Sequence, residues 1–100
     1  VGRSAVLSLS GEVDDVGAAE REHIVATLLR HRTLHLDVDL ERVTFIGSRG
    51  LTAILEAHAV VARHGGAVHL RASSRCASRL LEVAGVRTLF DGTGSAGAPG

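Results

Sequence analysis

The chain has 100 residues, enough for one compact domain and not two. Apolar residues make up 45%, which supplies a core and excludes global disorder. Only Phe45 and Phe90 are aromatic, and Lys plus Arg balances Asp plus Glu at 11 each. Stacking on single-stranded nucleic acid therefore has little material, and no net charge draws the domain onto DNA or an anionic membrane. A single Cys, Cys76, excludes an internal disulfide and a Cys-based zinc site, and fits a reducing, cytosolic compartment. No apolar run reaches the roughly 18 residues of a membrane span. The first residue is Val1, which fits a chain trimmed or cut from something longer.

Along the chain, "SAVLSLS" alternates, which predicts a strand over residues 5–10 ended by Gly11. Asp14 or Asp15 is placed to cap the next helix, because a short carboxylate accepts bonds from free backbone N–H groups. That helix runs from Val16 to about His31, with Ile24, Val25, Leu28 and Leu29 on one face. "TLHLDVDL" alternates again, pointing Leu34, Leu36, Val38 and Leu40 one way and His35, Asp37 and Asp39 the other. "ERVTFI" extends that strand to the small residues Gly47 and Ser48.

A second helix is predicted from Ser48 to about His64, with Leu51, Ile54, Leu55, His58 and Ala62 as its stripe. Gly65 suits the left-handed position after it. "AVHL" at 67–70 is a short strand. Ser73 or Ser74 caps a third helix, whose stripe is Ala77, Leu80, Leu81 and Ala84 and whose end is Gly85. "VRTLF" reads as a strand or a short helical turn. Residues 91–100 lack apolar periodicity and read as a disordered Gly-rich tail or linker, leaving residues 1–90 as the domain. Strand and helix alternate throughout, which argues for an α/β fold with a mostly parallel sheet.

Catalytic signatures are missing. The sequence has no G-x-S-x-G and no H-E-x-x-H, and it has no Lys, which removes a phosphate-loop NTPase. His31 and His35 are four apart, but the helix ends between them. His35, Asp37 and Asp39 share a strand face that reads as an outer polar face rather than a metal site. His58 lies on an apolar stripe, where a packed, hydrogen-bonded His is expected. No cofactor is implied.

Ser48 has two readings that share one geometry. As a helix N-cap, Ser stabilises by about 1 kcal/mol over Ala. As a phosphorylation site, it would hold a phosphate against free N–H groups and the positive end of the helix dipole, adding nearly two negative charges. Arg49 is placed to pair with that phosphate or with an acidic partner.

Four stretches in order resemble the STAS domain family, and within it the bacterial anti-sigma factor antagonists. "LSGEVD" (9–14) resembles the family's Gly-Glu-Leu-Asp turn. "LDVDLERVTFIGSRGLTAIL" (36–55) resembles a strand ending in Asp-Leu, an apolar pair and then Asp-Ser-Ser-Gly-Leu. "ARHGGAVHL" (62–70) and "SRCASRLLEVAGVRTLF" (74–90) resemble the Gly-Gly turn and the closing helix. The resemblance implies a STAS-like fold: a mixed, mostly parallel sheet of four to five strands with helices packed mainly on one side.

The resemblance also implies a function. The unphosphorylated antagonist binds an anti-sigma factor with Ser kinase activity and frees a sigma factor. The kinase then phosphorylates the Ser that falls on Ser48 here, and a phosphatase resets it. The domain is a substrate, not an enzyme. Asp14, Gly47, Ser48, Arg49 and Gly50 are the implied partner-binding residues. Asp39 falls on the strand-ending Asp, whose simpler role is a turn hydrogen bond. The chain departs from the motif at Gly47, in place of Asp, and Arg49, in place of Ser. Those departures favour an alternative, a STAS scaffold or regulatory interaction domain without a working phosphoswitch.

Overall fold

The computed structural model describes residues 3–14 and 16–90. Its elements are β1 (Ser4–Val13), α1 (Ala18–Arg30), β2 (His35–Ile46), α2 (Ser48–Arg63), β3 (Ala67–Ser73) and α3 (Arg75–Val83). A last helical turn covers residues 87–90. The proposed tail, 91–100, and Asp15 lie outside the described residues.

Among the described residues the sheet has three strands in the order β1-β2-β3, and both pairings are parallel. This corrects the expected mixed sheet of four to five strands. The "VRTLF" segment adds none. Val86 N donates to Leu81 O (3.1 Å) and Leu89 N to Val86 O (3.0 Å), so the segment closes on itself instead of extending along a sheet edge. Phe90 is buried in the core at its end.

Burial alternates along β2. Leu36, Val38 and Leu40 are fully buried, whereas His35 is exposed and Asp37 and Asp39 are half-buried. The parallel register extends this across the sheet. Ala5, Leu36 and Val68 form one covered row and Leu7, Val38 and Leu70 the next. β1 runs past Gly11 to Val13, beyond its expected end. Gly11 takes φ +71 and the pairing shifts register beside it, so the glycine forms a bulge rather than a stop.

The apolar stripe of α2 is phased differently from expectation. Its buried residues are Gly50, Ala53, Ile54, Ala57, Val60 and Val61, while Leu51, Leu55 and His58 are half-buried and Ala62 is exposed. Small residues on the sheet side let the helix approach closely, which hydropathy alone does not rank. In α1 only Leu28 is buried and Leu29 is exposed; in α3 Ala77 and Leu81 are buried and Ala84 is exposed.

All three helices end in one bonding pattern, in which the third residue past the helix bonds five residues back and its predecessor bonds three back. Thr33 N and Arg32 N donate to Leu28 O and Leu29 O, Gly66 N and Gly65 N to Val61 O and Ala62 O, and Val86 N and Gly85 N to Leu81 O and Glu82 O. The left-handed position is Gly65 (φ +81) in α2 and Gly85 (φ +72) in α3, but Arg32 (φ +50) in α1.

Candidate functional site: the edge at Asp14, Gly47 and Ser48

Parallel strands deliver their C-terminal ends to one edge of the sheet. Val13 pairs with Ile46 there, so Asp14 and Gly47 follow as neighbours. Gly47 N donates to Val13 O at 3.2 Å. The Asp14 carboxylate lies over Gly47, where a Cβ would collide with Oδ1. Gly50 sits one helical turn on, where a Cβ would collide with Val13 O and crowd Val13 Cγ1 and Ile46 Cγ1. Two glycines thus let β1 and the start of α2 touch.

Ser48 is the first residue of α2 and does not cap it, which corrects the N-cap reading. Gly47 is the N-cap, with extended backbone (φ −107°, ψ −171°), and no side chain caps the helix. Leu51 N donates to Gly47 O at 3.0 Å, closing the first turn one residue before Ser48 could do so. Ser48 is therefore exposed without a capping role for its hydroxyl. Its carbonyl accepts Thr52 Oγ1 at 2.9 Å. The first turn of α2 contains no acidic residue, so its positive end is not offset from within the helix.

Asp14 joins this edge and does not cap α1. Gly17 is the N-cap there, and its N–H donates to Glu20 Oε1 at 3.2 Å. Arg49 is exposed beside Ser48, and Gly50 is buried beneath it, where it permits close packing instead of presenting a surface. Asp39 stays away from the site: its Oδ1 accepts Glu41 N at 3.0 Å, a local turn bond beside a register shift. Phe45 was not singled out by sequence reasoning. It is 48% exposed beside Gly47. The period of two fails here, since Val43 and Ile46 are buried three residues apart with Thr44 and Phe45 both exposed between them, so alternation alone does not find Phe45.

Elsewhere, His58 packs as its stripe position implied. Nε2–H donates to Leu89 O at 3.1 Å, and the ring meets Phe90 edge-on at 5.5 Å. Among the described residues no three His, Cys, Asp or Glu side chains converge to hold a metal, His35, Asp37 and Asp39 included. No helix among them is long and apolar enough to cross a membrane.

The ends of the parallel strands thus meet a helix start that carries Ser48. The family model described as Mlab, STAS domain, matches residues 1–91. The chain belongs to the STAS domain family. The fold of this STAS domain is similar to a solved structure described as the anti-sigma factor antagonist SpoIIAA in its unphosphorylated form. The two share 20% sequence identity with a TM-score of 0.68, over 89% of this chain and 79% of that one. No curated protein sequence is similar enough to count as a relative.

Proposed function

We propose that this STAS domain is a bacterial anti-sigma factor antagonist working in the cytoplasm, switched by phosphorylation on Ser48. Unphosphorylated, it binds an anti-sigma factor with Ser kinase activity and frees the sigma factor for transcription. The kinase then moves the γ-phosphoryl of ATP onto Ser48 Oγ; ADP leaves and a base takes the hydroxyl proton. The phosphorylated domain dissociates, and a phosphatase restores the hydroxyl by hydrolysis. In this reading the domain is a substrate and a binding module, with no cofactor of its own.

The observation that carries the reading is the position of Ser48: exposed, first in α2, with its hydroxyl not engaged as a cap. A phosphate there faces a helix N-terminus, which favours it by about 0.3–1 kcal/mol at an exposed site. The Asp14 carboxylate beside Gly47 opposes it and makes the two charge states differ sharply at a partner's surface. Asp14, Phe45 and Arg49 frame the contact: one acid, one exposed aromatic anchor and one base. Incubation with the cognate kinase and ATP tests this; one phosphate is expected on the wild-type chain and none on Ser48→Ala.

Gly47 and Arg49, standing where the motif has Asp and Ser, favour a second reading, a STAS scaffold or regulatory interaction domain without the phosphoswitch. It predicts partner binding that Ser48→Asp leaves intact, where the switch predicts a large loss in calorimetry.

A further inference from the structure

At the opposite end of the sheet from Ser48, we propose a binding site for a small organic anion: a carboxylate or phosphate monoester carrying a short aliphatic body. A pocket of about 360 Å³ opens there, between the ends of α1 and α2 and the start of β2. Its size falls within the roughly 300–1,000 Å³ of small-molecule sites. Leu28, Leu34 and Val60 contribute apolar lining, and Arg3, Arg32 and His64 line it as well.

The backbone of Arg32 is the second, independent observation. Of three helices with the same ending, two place Gly in the left-handed position and only α1 places a side chain there. That conformation is disfavoured for any residue with a Cβ, and Arg has no local side-chain bond to offset it as Asn or Asp has. Glycine would keep both capping bonds, since they come from backbone N–H groups. The dipole does not require Arg32 either, because Arg30 already occupies the last turn of α1. What position 32 gains from Arg is a guanidinium on the pocket.

The surrounding charge agrees. The chain is neutral overall, yet residues 30–35 (RHRTLH) and 62–71 (ARHGGAVHLR) hold Arg and His with no Asp or Glu. These segments are neighbours, since Ala67 N donates to Leu34 O at 2.8 Å. Four of the carbonyls at these helix ends are already engaged: those of Leu28, Leu29, Val61 and Ala62 accept the capping bonds. His64 Nδ1–H donates to Val60 O at 2.9 Å, which fixes the ring at the pocket. A guanidinium pair suits the planar carboxylate or tetrahedral phosphate, and the Leu/Val wall suits a few methylenes.

Titration of the ¹⁵N-labelled full chain with hexyl phosphate, hexanoate, inorganic phosphate and hexanol tests the site by amide shifts. Saturable shifts centred on Thr33, Leu34, His64 and Gly65 are expected for one or both amphiphiles. Inorganic phosphate and hexanol should bind at least about tenfold more weakly, each lacking half the recognition. Arg32→Gly should weaken the amphiphile by about tenfold or more, the worth of one charge-assisted pair, while its melting midpoint does not fall. No saturation by either amphiphile, undiminished binding by Arg32→Gly, equal binding of inorganic phosphate or hexanol, or shifts centred on Ser48 would each overturn the assignment. None of these outcomes depends on the phosphoswitch.

Discussion

The carboxylate of Asp14 occupies the space that a side chain at position 47 would need. The two residues follow the paired strand ends Val13 and Ile46, so their closeness is built into the parallel register. Gly47→Ala should destabilise by about 1 kcal/mol, combining loss of a good N-cap with displacement of Asp14. Since the obstacle is the end of a flexible side chain, Asp14→Ala should relieve part of the cost. A double-mutant cycle by urea unfolding should give a coupling of about 0.5 kcal/mol or more; strict additivity would show that the two side chains do not compete for space.

Gly50 faces a harder obstacle. A Cβ there meets the Val13 carbonyl, which is backbone, and cannot rotate away. Gly50→Ala should therefore cost about 2–3 kcal/mol despite Ala's better helix propensity, which alone would stabilise by about 1 kcal/mol. Urea unfolding midpoints of Gly50→Ala and Gly47→Ala should fall in that order, with Gly50→Ala the lower. A stabilised Gly50→Ala would mean that β1 and α2 are not in contact.

These glycines also show why the sequence is only partly legible at the site. The alternation in "TLHLDVDL" identifies β2 and its covered face directly, because period two has one reading. The start of α2 does not yield to local rules. Ser48 has the chemistry of an N-cap, but Gly47 takes the cap position, packed against Asp14 from a strand remote in sequence. The stripe of α2 is misphased for a related reason: Gly50, Ala53 and Ala57 are buried because the helix lies close to the sheet, and small residues carry little hydropathic signal. Gly11 reads as a terminator and acts as a bulge, a choice set by the partner strand. The four to five strands are what the resemblance implies, whereas the chain's own alternating stretches supply the three that pair among the described residues.

Arg32 and Gly85 hold equivalent left-handed places after their helices, one with a Cβ and one without. Arg32→Gly should leave the fold at least as stable and raise it by up to about 1 kcal/mol, strain relief being partly offset by a freer unfolded chain. Gly85→Ala should cost about 1 kcal/mol, because it introduces the Cβ that the left-handed position disfavours. Thermal unfolding of both variants checks this, at about 4–8 °C per kcal/mol for a domain of this size. A midpoint for Arg32→Gly well below wild type would mean that the side chain itself holds the α1 end.

His58 ties α2 to the last helical turn through Leu89 O and the edge of Phe90. Phe90→Ala should cost about 3–5 kcal/mol, since the ring is fully buried. His58→Ala should cost less, about 1–2 kcal/mol, for one hydrogen bond and an edge-on ring contact on a half-buried side chain. Unfolding midpoints in that order are expected; a neutral Phe90→Ala would detach the 87–90 turn from the core.

The most direct measurement of the Ser48 switch is mass spectrometry of the wild-type chain and Ser48→Ala after incubation with the cognate anti-sigma factor and ATP, with calorimetry of the same pair before and after. A single phosphate on Ser48, none on Ser48→Ala, and loss of binding once the phosphate is on are expected. No phosphate, phosphate on another residue, or a phosphorylated domain that binds as tightly as before would contradict the switch.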